Sequence, residues 1–237
     1  MTRAWVLVFS IACSNNTRTP PTTERPKDAT LASTQPAEAS TVAGADAMSG
    51  PSSTEIDEAL QALGGEHGAS QIRNIEWWRK SSAHVRPHLR AMLEDSKQDL
   101  QADLWAVRIL GDLGHADDVA LLATVLTTWK SDTARMTAAA ALGVHPAPAA
   151  GEALIAATDH QNVDTASYAA DGLGMRKTDA AARARLEALL DHAVSTMRFH
   201  AVNALAELGG STAALEKRKK VEKDAEVREA IAKALKK

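Results

Sequence analysis

From about Thr54 onward, apolar residues recur at helical spacing in short blocks separated by Gly, Pro, Asp or Ser. Such blocks predict helices of ~11 to 14 residues, and the alternation a strand would need is absent. The blocks also repeat. Taking the Leu of a recurring Ala-Leu-Gly-like step as a marker, Leu113, Leu142, Leu173, Leu205 and Leu235 fall 29, 31, 32 and 30 residues apart. A period near 30 holds two helices and two turns.

Aligned on that marker, the blocks share an inward stripe. Four residues before it stand Ile109, Ala138, Ala169, Ala201 and Ile231, and three before it Leu110, Ala139, Ala170, Val202 and Ala232. Positions i, i+1 and i+4 lie on one helix face, so these residues should pack against neighbouring helices. Gly114, Gly143, Gly174 and the pair Gly209-Gly210 are expected to end the helices with a left-handed residue. Asp99, Asp132, Asp164, Ser195 and Asp224 are placed to cap their first turns.

The Asp224-Ala225-Glu226-Val227-Arg228 segment with Ala234-Leu235, and the segment from Asp132 to Gly143, resemble the HEAT-like repeat family in the short form first described in phycobilisome lyases. The third unit departs from the pattern, with Ala166 or Ser167 where Arg stands elsewhere. The resemblance implies an all-α fold, a right-handed α-solenoid of about five HEAT-like helical hairpins over residues 85–237, divided near His115, His145, Lys177 and Gly210. Upstream, Glu55 to Leu63 and Ser70 to Lys80 read as two helices of an N-terminal helical cap, residues 55–84. Thr54 and Asp57 should form a capping box at its start. Trp77, Trp78, Trp105 and Trp129 are expected to pack in the core or cap.

Composition fits this picture: 45% of residues are hydrophobic and only 3% aromatic, so the apolar content is mostly Ala, Leu and Val. A formal charge of −3 disfavours nucleic acid as a partner. The basic residues concentrate at one end, where residues 211–237 hold nine against five acidic. A solvated end cap and a surface for anionic lipid both account for that excess.

The chain opens with Arg3 and an apolar run, Ala4 to Ala12, that ends at Cys13, its only cysteine. The run is too short for a bilayer-spanning helix, which needs about 20 residues. Residues 1–12 therefore read as a signal peptide. The Ser10-Ile11-Ala12-Cys13 step resembles the lipobox of bacterial lipoproteins, although Ser10 stands where that family usually has an aliphatic residue. The resemblance implies a membrane anchor through lipidated Cys13, and Ser14 fits sorting to the outer membrane, facing the periplasm or cell surface. An ordinary secretory leader would account for the same apolar run. Residues 13–54 hold five of the eight prolines and are rich in Thr, Ala and Ser. They read as a disordered tether, with a reach of roughly 35 Å as a flexible coil.

Enzyme chemistry finds little support in the sequence. There is no Gly-rich phosphate loop and no Gly-x-Ser-x-Gly turn. His84 and His88 are four apart, but Pro87 lies between them and no third ligand is placed nearby. No cofactor or metal is expected. By the family resemblance the Ala-rich helices line a concave face, and solenoids bind proteins through such faces. Two rows on those helices differ from copy to copy: Arg108, Thr137, Tyr168 and His200, five before the marker, and Asp171, Asn203 and Lys233, two before it. These are the candidate contacts of a monomeric scaffold that binds a protein partner. A HEAT-like enzyme of lyase or hydrolase type and a purely structural spacer are the alternatives.

Overall fold

The computed structural model describes residues 50–65, 75–96 and 101–236. The expected leader, Cys13, nearly all of the tether and Asp99 lie outside them. Twelve α-helices run through the described residues: α1 (Ser53–Leu63), α2 (Ile75–Lys80), α3 (Ser82–Glu94), α4 (Gln101–Leu113), α5 (Val119–Thr128), α6 (Asp132–Val144), α7 (Pro148–Ala157), α8 (Val163–Gly174), α9 (Ala180–Leu189), α10 (Ser195–Leu208), α11 (Thr212–Lys219) and α12 (Ala225–Ala234). No strand occurs among the described residues. None of their helices is long and apolar enough to cross a membrane.

Helices α3 to α12 form five consecutive pairs. The second helices, α4, α6, α8, α10 and α12, stack in series, and the first helices stack less closely beside them. A stack with one layer more closely spaced than the other curves toward the closer one, so the second helices form the inner layer. Helices α1 and α2 both pack on α4, where a preceding pair would otherwise lie. Helix α3 begins at Ser82, three residues ahead of the expected boundary between 84 and 85, and α1 begins two residues before Glu55.

The inward stripe explains the stacking. Ile109, Ala138, Ala169, Ala201 and Ile231 are fully buried, as are Leu110, Ala170, Val202, Leu142 and Leu173. Trp78 and Trp129 are buried in the same continuous core, and Trp77 meets Trp78 edge to face with ring centroids 5.0 Å apart. Small residues let the inner helices approach closely. A Cβ on Gly172 would lie 2.6 Å from the Ala139 carbonyl oxygen, and one on Gly111 would lie 2.6 Å from the Ala141 Cβ.

That observation corrects the role expected of two glycines. Gly114 and Gly209 do take positive φ, 70° and 72°, and end their helices. Gly143 and Gly174 instead lie inside α6 and α8, without positive φ. Their missing side chains make room: a Cβ on Gly143 would sit 2.6 Å from the Gly172 carbonyl oxygen.

The caps also shift. Asp224 caps α12, accepting from the Glu226 and Val227 amides at 3.0 and 3.1 Å. Helix α6 is capped by Ser131 rather than Asp132, and α8 by Asn162 rather than Asp164. At α10 the capping position is Val194, which offers no oxygen, and Ser195 is already helical. The box at the start of α1 is formed by Ser52 and Glu55, not Thr54 and Asp57.

Polar fastenings join successive pairs along their edges. Arg86 and Arg90 of α3 hold the fully buried Asp118 at the start of the second pair, at 2.8 and 2.6 Å. Arg135 of α6 donates to the Thr165 hydroxyl of α8 at 2.9 Å. Thr165 belongs to the unit that lacks the family arginine, and its buried hydroxyl there serves as an acceptor for its neighbour. Arg176, in the turn after α8, donates to the carbonyls of Leu142 and His145 at 3.2 and 2.9 Å, satisfying the free end of α6. Arg185 of α9 donates to the Thr158 hydroxyl at 2.7 Å.

Candidate protein-binding face

The inner helices turn one side into the core and leave the other free. On that free side Arg108, Asp171, Asn203 and Lys233 are exposed, while Thr137, Tyr168 and His200 are half-buried. Helical spacing sets each position within its own helix, and the close Ala and Gly approach between helices aligns them into rows along the stack.

Two of these residues meet across neighbouring helices. His200 of α10 places Nδ1 2.8 and 2.9 Å from the two carboxylate oxygens of Asp171 on α8. The Phe199 ring stands edge-on to the His200 ring at 5.8 Å. Asn203 and Lys233 line an open cleft of about 330 Å³ between α10 and α12, together with Phe199, Glu226, Glu229 and Ala230. Lys233 is ion-paired there with Glu229 at 2.8 Å.

The remaining candidates stand apart. Thr137 spends its hydroxyl on the Thr133 carbonyl at 2.7 Å. Tyr168 has its phenol pushed above the ordinary value by burial, and the charges of Asp132, Asp164 and Asp171 add to that while Arg135 opposes it. Arg108 lies at the other end of the row, where its charge acts on Asp112 together with that of Arg79. Burial nevertheless holds the Asp112 carboxyl above its usual range.

Sequence reasoning missed Phe199, Glu226 and Glu229, which line the cleft, and Met136, which is an exposed apolar residue of α6. A signal was present. Met136, Phe199 and Glu229 each stand six residues before the marker leucine, one step from the row that was singled out.

The face mixes an aromatic wall, an amide and paired charges, groups that also occur on protein contact surfaces. Among the described residues no group of three or more His, Cys, Asp or Glu is placed to hold a metal ion. His84 and His88 are exposed on α3.

Stacked helix pairs with a continuous core and a free inner face define an all-α solenoid. Residues 151–236 match the HEAT repeats family, from within α7 to two residues past α12. That match supports a HEAT-like repeat protein, and repeats of this kind generally mediate protein interaction and scaffolding. No curated protein matches the chain.

Proposed function

We propose that this protein is a scaffold that binds a protein partner through the free side of its inner helices, and that lipidated Cys13 holds it at the outer membrane. The observation that carries the binding reading is the contrast between the two sides of one helix layer. Positions four and three before the marker are small or apolar in every copy and almost all buried. Seven of the ten residues five and two before it are Arg, Thr, Tyr, Asp, His, Asn and Lys, and each is exposed or half-buried, while Gly111 and Ala230 are buried and Ala140 is half-buried. Packing dictates the first set, and with it Gly111 and Ala230; the seven polar side chains of the second set do not fill the core, so they are available for recognition.

Tyr168, Phe199 and the His200–Asp171 pair lie at the middle of the face. Aromatic side chains near an oriented imidazole–carboxylate hydrogen bond are the composition of binding hot spots. The partner is captured by crosslinking the full chain in intact cells. An Arg108→Glu, Tyr168→Ala, His200→Glu chain is expected to lose that partner while keeping its helical content. Recovery of every partner at unchanged yield would overturn the assignment of this face. The anchor is tested separately by mass spectrometry of the N-terminal peptide, where an unmodified Cys13 in the exported chain would sink it.

A further inference from the structure

The turn between α11 and α12 is a second contact surface, and the geometry points to an anionic bilayer surface as what it meets. This inference is independent of the inner face.

The argument begins with where the charges point. Lys217, Lys219, Lys220 and Lys223 are exposed, and none of their amines has a partner among the described residues. The acids of the same stretch are turned to internal use. Glu222 is buried, and its carboxylate accepts from Arg198 at 2.8 Å through both Nε and Nη2, and from Arg218 at 2.8 Å. It also accepts from the Lys223 and Asp224 amides at 2.9 Å. Asp224 is occupied in capping α12. Glu216 and, two residues beyond Asp224, Glu226 remain free to offset the lysines, two carboxylates against four amines.

Glu222 therefore acts as an inward anchor. Holding it in place turns the residues on either side outward, so the lysines are displayed on a fixed turn rather than on a frayed end. Between them stands Val221, 61% exposed, the most exposed large apolar side chain among the described residues. It borders a cleft of about 240 Å³ that also contains Leu190, Ala214, Lys217 and Arg218. The two acids of that cleft are engaged, Asp191 with Arg218 at 3.1 Å and Glu187 with the Ser211 hydroxyl at 2.9 Å.

Unpaired lysines around an apolar tip match a layer of anionic headgroups over an acyl interior. Nucleic acid would match less well. Residues 211–237 contain no aromatic side chain on which a base could stack. Of the two arginines here, Arg218 is committed to Glu222 and Asp191, and Arg228 places Nη1 on the Lys223 carbonyl at 3.0 Å, so the cations left free are mainly lysine point charges rather than planar forks for phosphate.

The experiment uses the full chain carrying Cys13→Ser, so that no acyl group contributes. It is sedimented with vesicles of phosphatidylcholine mixed with phosphatidylglycerol, and with phosphatidylcholine vesicles alone. Binding to the mixed vesicles only, weakening as salt rises, is expected. Each lysine neutralised should reduce partitioning about fivefold, so Lys219→Gln, Lys220→Gln, Lys223→Gln together should reduce it about 100-fold. These side chains are exposed and unpaired, and an unchanged thermal midpoint checks that the fold is kept. Val221→Ser should weaken binding several-fold without altering its salt dependence. Equal partitioning onto both vesicle types, indifference to the triple substitution or to Val221→Ser, or tighter binding to a DNA duplex than to the mixed vesicles, would overturn the proposal.

Discussion

The guanidinium of Arg198 meets both carboxylate oxygens of Glu222 at 2.8 Å, joining the N-terminal turn of α10 to the turn inside the last helix pair. Removing one partner of such a buried pair strands the other, a loss of about 3–5 kcal/mol. Urea unfolding of Glu222→Gln should show it. Arginine and amide donors hold the Glu222 carboxyl well below its ordinary 4.5. Its contribution is therefore complete above that value and is lost as pH falls toward the lowered folded value. The wild-type chain should lose stability on acidification in that range, and Glu222→Gln should lose less.

Gly172→Ala tests the close approach of the inner helices. In an exposed helix interior this substitution would stabilise by about 1 kcal/mol. Here the new Cβ would lie 2.6 Å from the Ala139 backbone oxygen and 2.9 Å from Leu154. Overpacking against backbone wins, and a net loss of about 1–3 kcal/mol is expected in chemical denaturation. A gain would mean that α6 and α8 are not so closely set.

Val194 occupies an extended capping position, φ −81° and ψ 125°, and is partly exposed. Val194→Asp should supply the missing acceptor for α10 and raise stability by about 1 kcal/mol. Asp224→Ala should lower it by a similar amount, since two amides lose their acceptor. Thermal unfolding of the two variants should therefore move in opposite directions.

Tyr168 is the only tyrosine, so ultraviolet titration reads this one phenol. Its midpoint should lie above 10, because burial and nearby carboxylates disfavour the phenolate. Asp164→Asn should lower the midpoint by removing one of those charges. A midpoint at or below 10 in the unmodified chain would place the ring in open water.

The periodic stripe was legible in the sequence because packing leaves few choices: Ala138, Ala169 and Ala201 must be small wherever inner helices touch. Capping was legible only to within one or two residues. Ser131, Asp132, Asn162 and Asp164 are all short and polar, and only backbone geometry decides which is the acceptor. The fastenings were not legible. Arg176 and Arg86 reach partners some 30 residues away, and along the chain each reads as an ordinary surface arginine. The cleft escaped for a related reason, since Phe199 lines it with Glu226 and Glu229 from the next pair.

Each arginine fastening reaches only to the adjoining pair. Mechanical load on the stack is thus passed from neighbour to neighbour, and a unit with one neighbour has half the support of a unit with two. Breaking one fastening, as Glu222→Gln does, should therefore open the stack locally and stop at the next intact junction, leaving the rest of the array closed.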